Sequence, residues 1–127
     1  MADTPTIESL LSQWIAAFNT HDLDAHVALY LEDAMLFGSV DPLQDGRTAI
    51  RQYFAGRGPK VRVKNYPAPA IRMFGDDVAV TAAHVDFADG TTPMPYRVTW
   101  TLVRRSGNWR IAQHHGSPRR ADNETSS

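Results

Sequence analysis

The hydrophobic period of this chain changes near its middle. Apart from one strand-like stretch, apolar residues up to Gly58 recur three or four positions apart, whereas from Lys60 onward they tend to alternate. Side chains on a helix share a face every three to four residues and those on a strand every two, so the first half must be mainly helices and the second mainly strands. Ile7, Leu10, Leu11, Trp14, Ile15 and Phe18 mark one stripe of a helix over Thr6–Asn19. A second, short helix starts at Asp22, whose side chain suits an N-cap, and presents Leu23, Val27, Tyr30 and Leu31 as its buried face. AMLFGSV (34–40) reads as a strand and DPLQDG as a turn. A third helix then puts Ile50, Tyr53 and Phe54 on one face and is stopped by Gly56 and Gly58.

The second half reads as a meander. KVRVKNYPAPAIRMFG is interrupted by Pro67 and Pro69, which lack the N–H a ladder needs and so imply an edge or a bulge. DVAVTAAHVDFADG and PYRVTWTLVRRSGNWRIAQHH follow as long strands separated by DGTTPMP, with RSGN turning a hairpin inside the second. Helices with one apolar stripe each need a sheet face to bury it, so helices followed by strands give an α+β fold: a strongly curved antiparallel sheet wrapped over three helices. A chain of 127 residues supports one such core, burying about two-thirds of its unfolded surface. The ordered domain is expected over residues 6–118, with the polar, aperiodic residues 1–5 and 119–127 as flexible tails.

Composition narrows the partners. A formal net charge of -1 leaves no cationic excess for a phosphate backbone, so nucleic acid is not expected. The absence of cysteine excludes disulfides, thiolate nucleophiles and thiolate metal sites. Nothing resembles a leader or a membrane span, so a cytoplasmic location without membrane contact is expected. Of the 13 cationic side chains only Lys60 and Lys64 are lysines; the others are arginine, which is suited to paired recognition of carboxylates.

Strand parity sorts the polar candidates. Within DVAVTAAHVDFADG, His84 and Asp86 share a face with Val78, Val80 and Ala82, opposite Ala79, Thr81, Ala83, Val85 and Phe87. A carboxylate beside an imidazole raises its basicity and fixes its tautomer. The pair therefore suits acid–base chemistry if it faces a pocket, and a subunit interface if it faces outward. In the closing strand Trp109, Ile111, Gln113 and His115 fall on the apolar side, and Arg110, Ala112 and His114 on the other. Unless a bulge intervenes, His115 and Gln113 look inward and His114 toward an interface. His21, Asp22, Asp24 and His26 match a metal cluster in composition only, the histidines being five apart, and no metal or other cofactor is expected. Trp14, Phe18, Tyr30, Phe37, Tyr53, Phe54 and Trp100 supply enough large rings to line an apolar pocket.

The words WIAAFNTHDLDAHVALYLEDAML, DGRTAIRQYF and a last strand ending RRSGNWRIAQHHGSP resemble the nuclear transport factor 2-like superfamily over about residues 6–118. The resemblance implies a cone-shaped α+β barrel with a pocket between helices and concave sheet. Within the superfamily the closing stretch is most similar to the association domain of calcium/calmodulin-dependent kinase II and to SgcJ/EcaC-type, SnoaL-like proteins. A histidine of that association domain matches His115, while its pocket arginines match Val85, Trp100 and Gly116. The first half is also similar to ketosteroid isomerase, whose tyrosine on helix one and aspartate on the first strand match Trp14 and Gly38. An indole is no proton source near neutral pH and glycine carries no base, so that mechanism is not implied. The reading is a SnoaL-like protein that binds a small apolar or aromatic metabolite. His84, Asp86 and His115 are its acid–base candidates for a cyclase, isomerase or dehydratase type of reaction, and it pairs as a homodimer through its sheet. The alternative is a non-catalytic assembly module resembling the kinase association domain.

Overall fold

In the computed structural model, which describes residues 3–119, helix α1 (Thr4–Thr20) starts before its stripe predicts. Pro5 sits in the first turn, where no N–H is needed. The helix buries Ile7, Leu10, Leu11, Trp14, Ala17 and Phe18. It ends in a left-handed His21 at φ 59°, with the His21 and Asp22 N–H groups donating to the Phe18 and Ala17 carbonyls at 3.3 and 3.0 Å. Asp22 then caps α2 (Leu23–Val27) by accepting from the Ala25 N–H at 3.1 Å. Tyr30 and Leu31, expected on that second helix, instead open β1 (Tyr30–Phe37). The last strand draws this segment into the sheet, its Ile111 N–H donating to the Leu29 carbonyl at 2.8 Å.

After β2 (Gln44–Asp45), α3 (Arg47–Ala55) buries Ile50 and Phe54. The strands β3 (Val61–Asn65), β4 (Ala70–Met73), β5 (Val78–Asp89), β6 (Thr92–Arg105) and β7 (Asn108–Pro118) complete the chain. They form one sheet in the order β2-β1-β7-β6-β5-β3, with β4 also on β5. Pro67 and Pro69 fall between β3 and β4, where the chain leaves β5 and rejoins it. The turn between β5 and β6 is tight, with Gly90 at φ 60°, so both strands run further than DGTTPMP suggests. Pro93 and Pro95 are tolerated in β6 because that strand runs past the end of β7, where Tyr96 faces Pro118. Ser106 and Gly107, at φ 53° and 80°, make the hairpin turn expected at RSGN.

The sheet is antiparallel except between β1 and β7, which run parallel. Its inner face packs Trp100, Leu102, Ile111, Val85 and Val98 against α1 and α3, giving one continuous core. Of the tails expected at 1–5 and 119–127, residues 1–2 and 120–127 lie outside the described residues. The remainder is structured: Thr4 is helical, and the Arg119 N–H donates to the Pro95 carbonyl at 3.0 Å. No helix among the described residues is long and apolar enough to cross a membrane.

Candidate functional site

A bulge decides what faces the interior. From Tyr96–Pro118 to Thr101–Gln113 the strands β6 and β7 pair residue for residue, but Leu102 then meets Ile111, leaving Ala112 as the extra residue. Trp109 and Ile111 are buried on one side of the bulge, and His114 and Gly116 on the other. The simple alternation is thereby reversed for the paired histidines. His114, expected outside, is buried in the core, and His115 is exposed on the outer face with its ring 5.8 Å from Phe37. Gln113 is in register with the exposed Met35 and belongs to the same outer face.

The other acid–base candidates also lie outside. On β5 the inward residues are Ala79, Thr81, Val85 and Phe87, which leaves His84 exposed on the far side. Asp86 is half-buried there, accepting from Arg119 Nη2 at 2.7 Å and Asn65 Nδ2 at 3.3 Å. His84, Asp86, His115, Gln113 and Phe37 are therefore corrected from cavity residues to outer-face residues.

The interior holds a cavity of about 610 Å³ between α1, α3 and the sheet. Four of the expected rings line it, namely Trp14, Phe18, Tyr53 and Phe54, joined by Phe87, Met94 and Tyr96. The parity of β5 places Phe87 inward and Tyr96 shares the parity of Trp100 in PYRVTW, but Met94 falls in DGTTPMP, which reads as a separating segment. Tyr30 and Trp100 are wholly buried behind this wall, and the Trp100 ring lies 5.5 Å from that of Trp14.

A buried polar chain forms the floor. The Trp14 indole N–H donates to Tyr30 Oη at 2.9 Å, and Tyr30 Oη lies 2.7 Å from His114 Nδ1. An indole can only donate, so Trp14 takes one lone pair of the phenol. The Trp100 N–H, which has no well-aligned partner, is directed at the same oxygen and offsets a little of the phenol's shift. Among the described residues the one hydrogen-bond partner of Tyr30 Oη that can accept its proton is His114 Nδ1, so Nε2 carries the ring proton. Burial holds Tyr30 protonated far above the usual tyrosine range. It also pushes His114 down to about 3, with smaller contributions from His26 and His115. The floor therefore presents a neutral imidazole as a hydrogen-bond donor.

At the rim, Tyr53 Oη accepts from the Ser39 N–H at 2.8 Å and lies 3.1 Å from Ser39 Oγ. A Cβ at Gly38 would come within 2.1 Å of that phenol oxygen, so the tyrosine occupies the space that a side chain at position 38 would need. Arg57, just beyond α3, donates to the Phe18 carbonyl, and to the Val61 carbonyl at 2.8 Å. Its guanidinium lies 3.8 Å from the centre of the Phe18 ring. His26, set aside with the supposed metal cluster, is 2% exposed, its ring 4.2 Å from Phe54 and 4.8 Å from Trp14, and its Nε2 has no hydrogen-bond partner. Burial, and then the Arg57 charge, lower its pKa to about 3. His21 points elsewhere, bonding Arg62 Nη1 at 2.7 Å on the surface.

Comparison with known proteins agrees with this architecture. Residues 7–121 match the model of the SnoaL-like domain. No functionally curated protein matches. An uncharacterized protein with a cystatin-like fold from Caulobacter vibrioides superposes with a TM-score of 0.88 at 16% identity, covering 100% of this chain and 96% of its own. A ketosteroid isomerase-like protein from Erwinia carotovora atroseptica gives 0.78 at 22% identity, with 91% and 95% covered. A dehydratase candidate of the nuclear transport factor 2-like family from Streptomyces avermitilis gives 0.82 at 14% identity, with 94% and 98% covered. The family match spans nearly all of the described residues and the solved relatives share their fold, so the chain belongs to the SnoaL-like family of nuclear transport factor 2-like α+β cones.

Proposed function

We propose that the protein binds a ring-containing small molecule in its central cavity and holds an acceptor oxygen of that molecule on the His114 Nε2–H. The observation that carries this reading is the cavity itself: about 610 Å³ walled by aromatic rings, with one neutral imidazole donor at its floor. No Asp or Glu is among the lining residues described, and an imidazole held near pKa 3 is a weak proton acceptor. The site is therefore built to bind and polarise a carbonyl or hydroxyl oxygen, and a reaction of the dehydratase or cyclase type would use His114 as donor.

The test uses 2-naphthol and calorimetry. Gly116 is buried beside the floor, and a Cβ there would make ordinary contacts with Tyr96, His114 and Val98 at 3.5–3.7 Å. Gly116→Val should crowd the floor beyond that Cβ and weaken naphthol binding about tenfold or more, a loss of about 1.4 kcal/mol, in a variant whose thermal melt shows that it is still folded. Binding by the wild-type chain should also stay flat down to about pH 5, since His114 titrates only at about 3. Absence of saturable binding, or equal binding by the valine variant, would sink the proposal.

The outer sheet face supports a homodimer. Met35, Gln113, Thr101 and Val80 form one row across β1, β7, β6 and β5, and Phe37, His115, Thr99 and Ala82 the next. Met35, Phe37 and Val80 are 45%, 42% and 39% exposed, apolar side chains on a face that a second copy would cover. Phe37→Glu is expected to convert a dimer to a monomer in light scattering at micromolar protein. A wild-type chain already monomeric there would exclude the pairing.

A further inference from the structure

Arg57 is the one charged side chain among the described residues that line the cavity. Its environment is unusual for a cation. It leans over the Phe18 ring at 3.8 Å, and none of the ion pairs among the described residues supplies it with a carboxylate. Two carbonyls, of Phe18 and Val61, hold the guanidinium in place. They take one N–H from each terminal nitrogen, which leaves one on each and the Nε–H uncommitted. The carbonyls orient and partly offset the charge but do not neutralise it. A cation presented in this way at the edge of an apolar chamber, with paired donors free, is complementary to a planar oxyanion.

We infer that the ligand is an aromatic or polycyclic carboxylate, its acid group paired with Arg57 at the rim and an acceptor oxygen at its far end on His114. This rests on the small-molecule reading proposed above. The spacing is right for one molecule to meet both. From Arg57 to the Phe18 ring is 3.8 Å, from Phe18 to Trp14 5.3 Å and from Trp14 to His114 5.7 Å, so the two polar ends are at most about 15 Å apart, a gap that a small polycycle with a hydrogen bond at each end bridges. The rings between them offer flat faces to such a core. Arg57 reaches the cavity from the segment between α3 and β3.

The experiment compares 6-hydroxy-2-naphthoate with its neutral isostere, 6-hydroxy-2-naphthamide, by calorimetry at low salt. The wild-type chain should bind the acid at least ten times more tightly than the amide, and added salt should shrink the ratio. Arg57→Gln should bring the ratio near one. Arg57→Lys, which keeps the charge but not the fork, should retain part of the preference, and so covers the case in which the glutamine variant loses its carbonyl contacts and folds poorly. Arg51→Gln removes a surface arginine paired with Asp24 and should change nothing, which separates a local effect from net charge. Equal binding of acid and amide by the wild-type chain, or an unchanged ratio in Arg57→Gln, overturns the carboxylate and leaves the apolar pocket standing. Failure of both probes to bind overturns both readings.

Discussion

Lowering the pH from about 7.5 to about 5 is expected to destabilise the fold by about 2–4 kcal/mol through two histidines alone. His26 and His114 each titrate near 3 when folded, against 6.5 for an ordinary histidine, and burial is the main cause in both. Above 6.5 both states hold these rings neutral and the full stability is present. Below it the unfolded chain takes up protons that the folded chain refuses, so stability falls with decreasing pH until the folded pKa is reached. Each group contributes at most about 1.4 kcal/mol per pH unit across that window, and the two are coupled because charging one further disfavours charging the other. In a chain of this size the loss corresponds to roughly 8–16 °C in Tm. His26→Leu separates the cause from other titrations. Because His26 Nε2 has no partner to lose, the variant should match or exceed wild-type stability at neutral pH and show about half the loss on acidification. Urea denaturation across the pH series, with an unchanged slope in the variant, would refute the assignment.

Removing one oxygen atom should cost at least as much. Tyr30→Phe strands a donor, Trp14 Nε1, and an acceptor, His114 Nδ1, in a region where both partners are buried. A buried group left unsatisfied costs about 1–3 kcal/mol, so the pair predicts a loss of about 2–5 kcal/mol, a large share of an ordinary domain's stability. Tyr30→Phe combined with His114→Leu removes the stranded acceptor as well and should be more stable than the sum of the single losses implies. Denaturant midpoints of the three variants decide it: a single-variant cost under about 0.5 kcal/mol would mean that the polar chain contributes little.

The elements that the sequence makes legible are those whose geometry is local. The stripe from Ile7 to Phe18, the Asp22 cap and the RSGN hairpin each depend on residues within one or two turns of chain, and they stand where periodicity puts them. Tyr30 and Leu31 do not, because their apolar spacing fits a helix equally well and only pairing with β7, some eighty residues away, decides otherwise. The site divides along the same line. Trp14, Phe18, Tyr53 and Phe54 reach the cavity from helix faces readable in sequence. His114 was assigned to the wrong side by an inserted residue that has no local signature, since Ala112 is an ordinary strand residue in composition. Arg57 lies in AGRGPK, which reads as a helix stop, and its reach back to the Phe18 carbonyl is a tertiary contact that no spacing rule shows.

The bulge at Ala112 also bears on how chains of this fold diversify. Inward and outward alternate with period two, so a register that took Ala112 into the ladder would exchange the two faces for everything on one side of it, whereas deleting Ala112 would leave His114 opposite Trp100. Ligand-facing chemistry on the last strand can thus be rewritten by a one-residue slip of the ladder, with no substitution at all, and a gap misplaced by one position in an alignment assigns the wrong side chains to the cavity. Two neighbouring histidines blunt that hazard in this chain. In the native register His114 meets the cavity, and in the slipped one His115 would, so an imidazole stands over the floor either way.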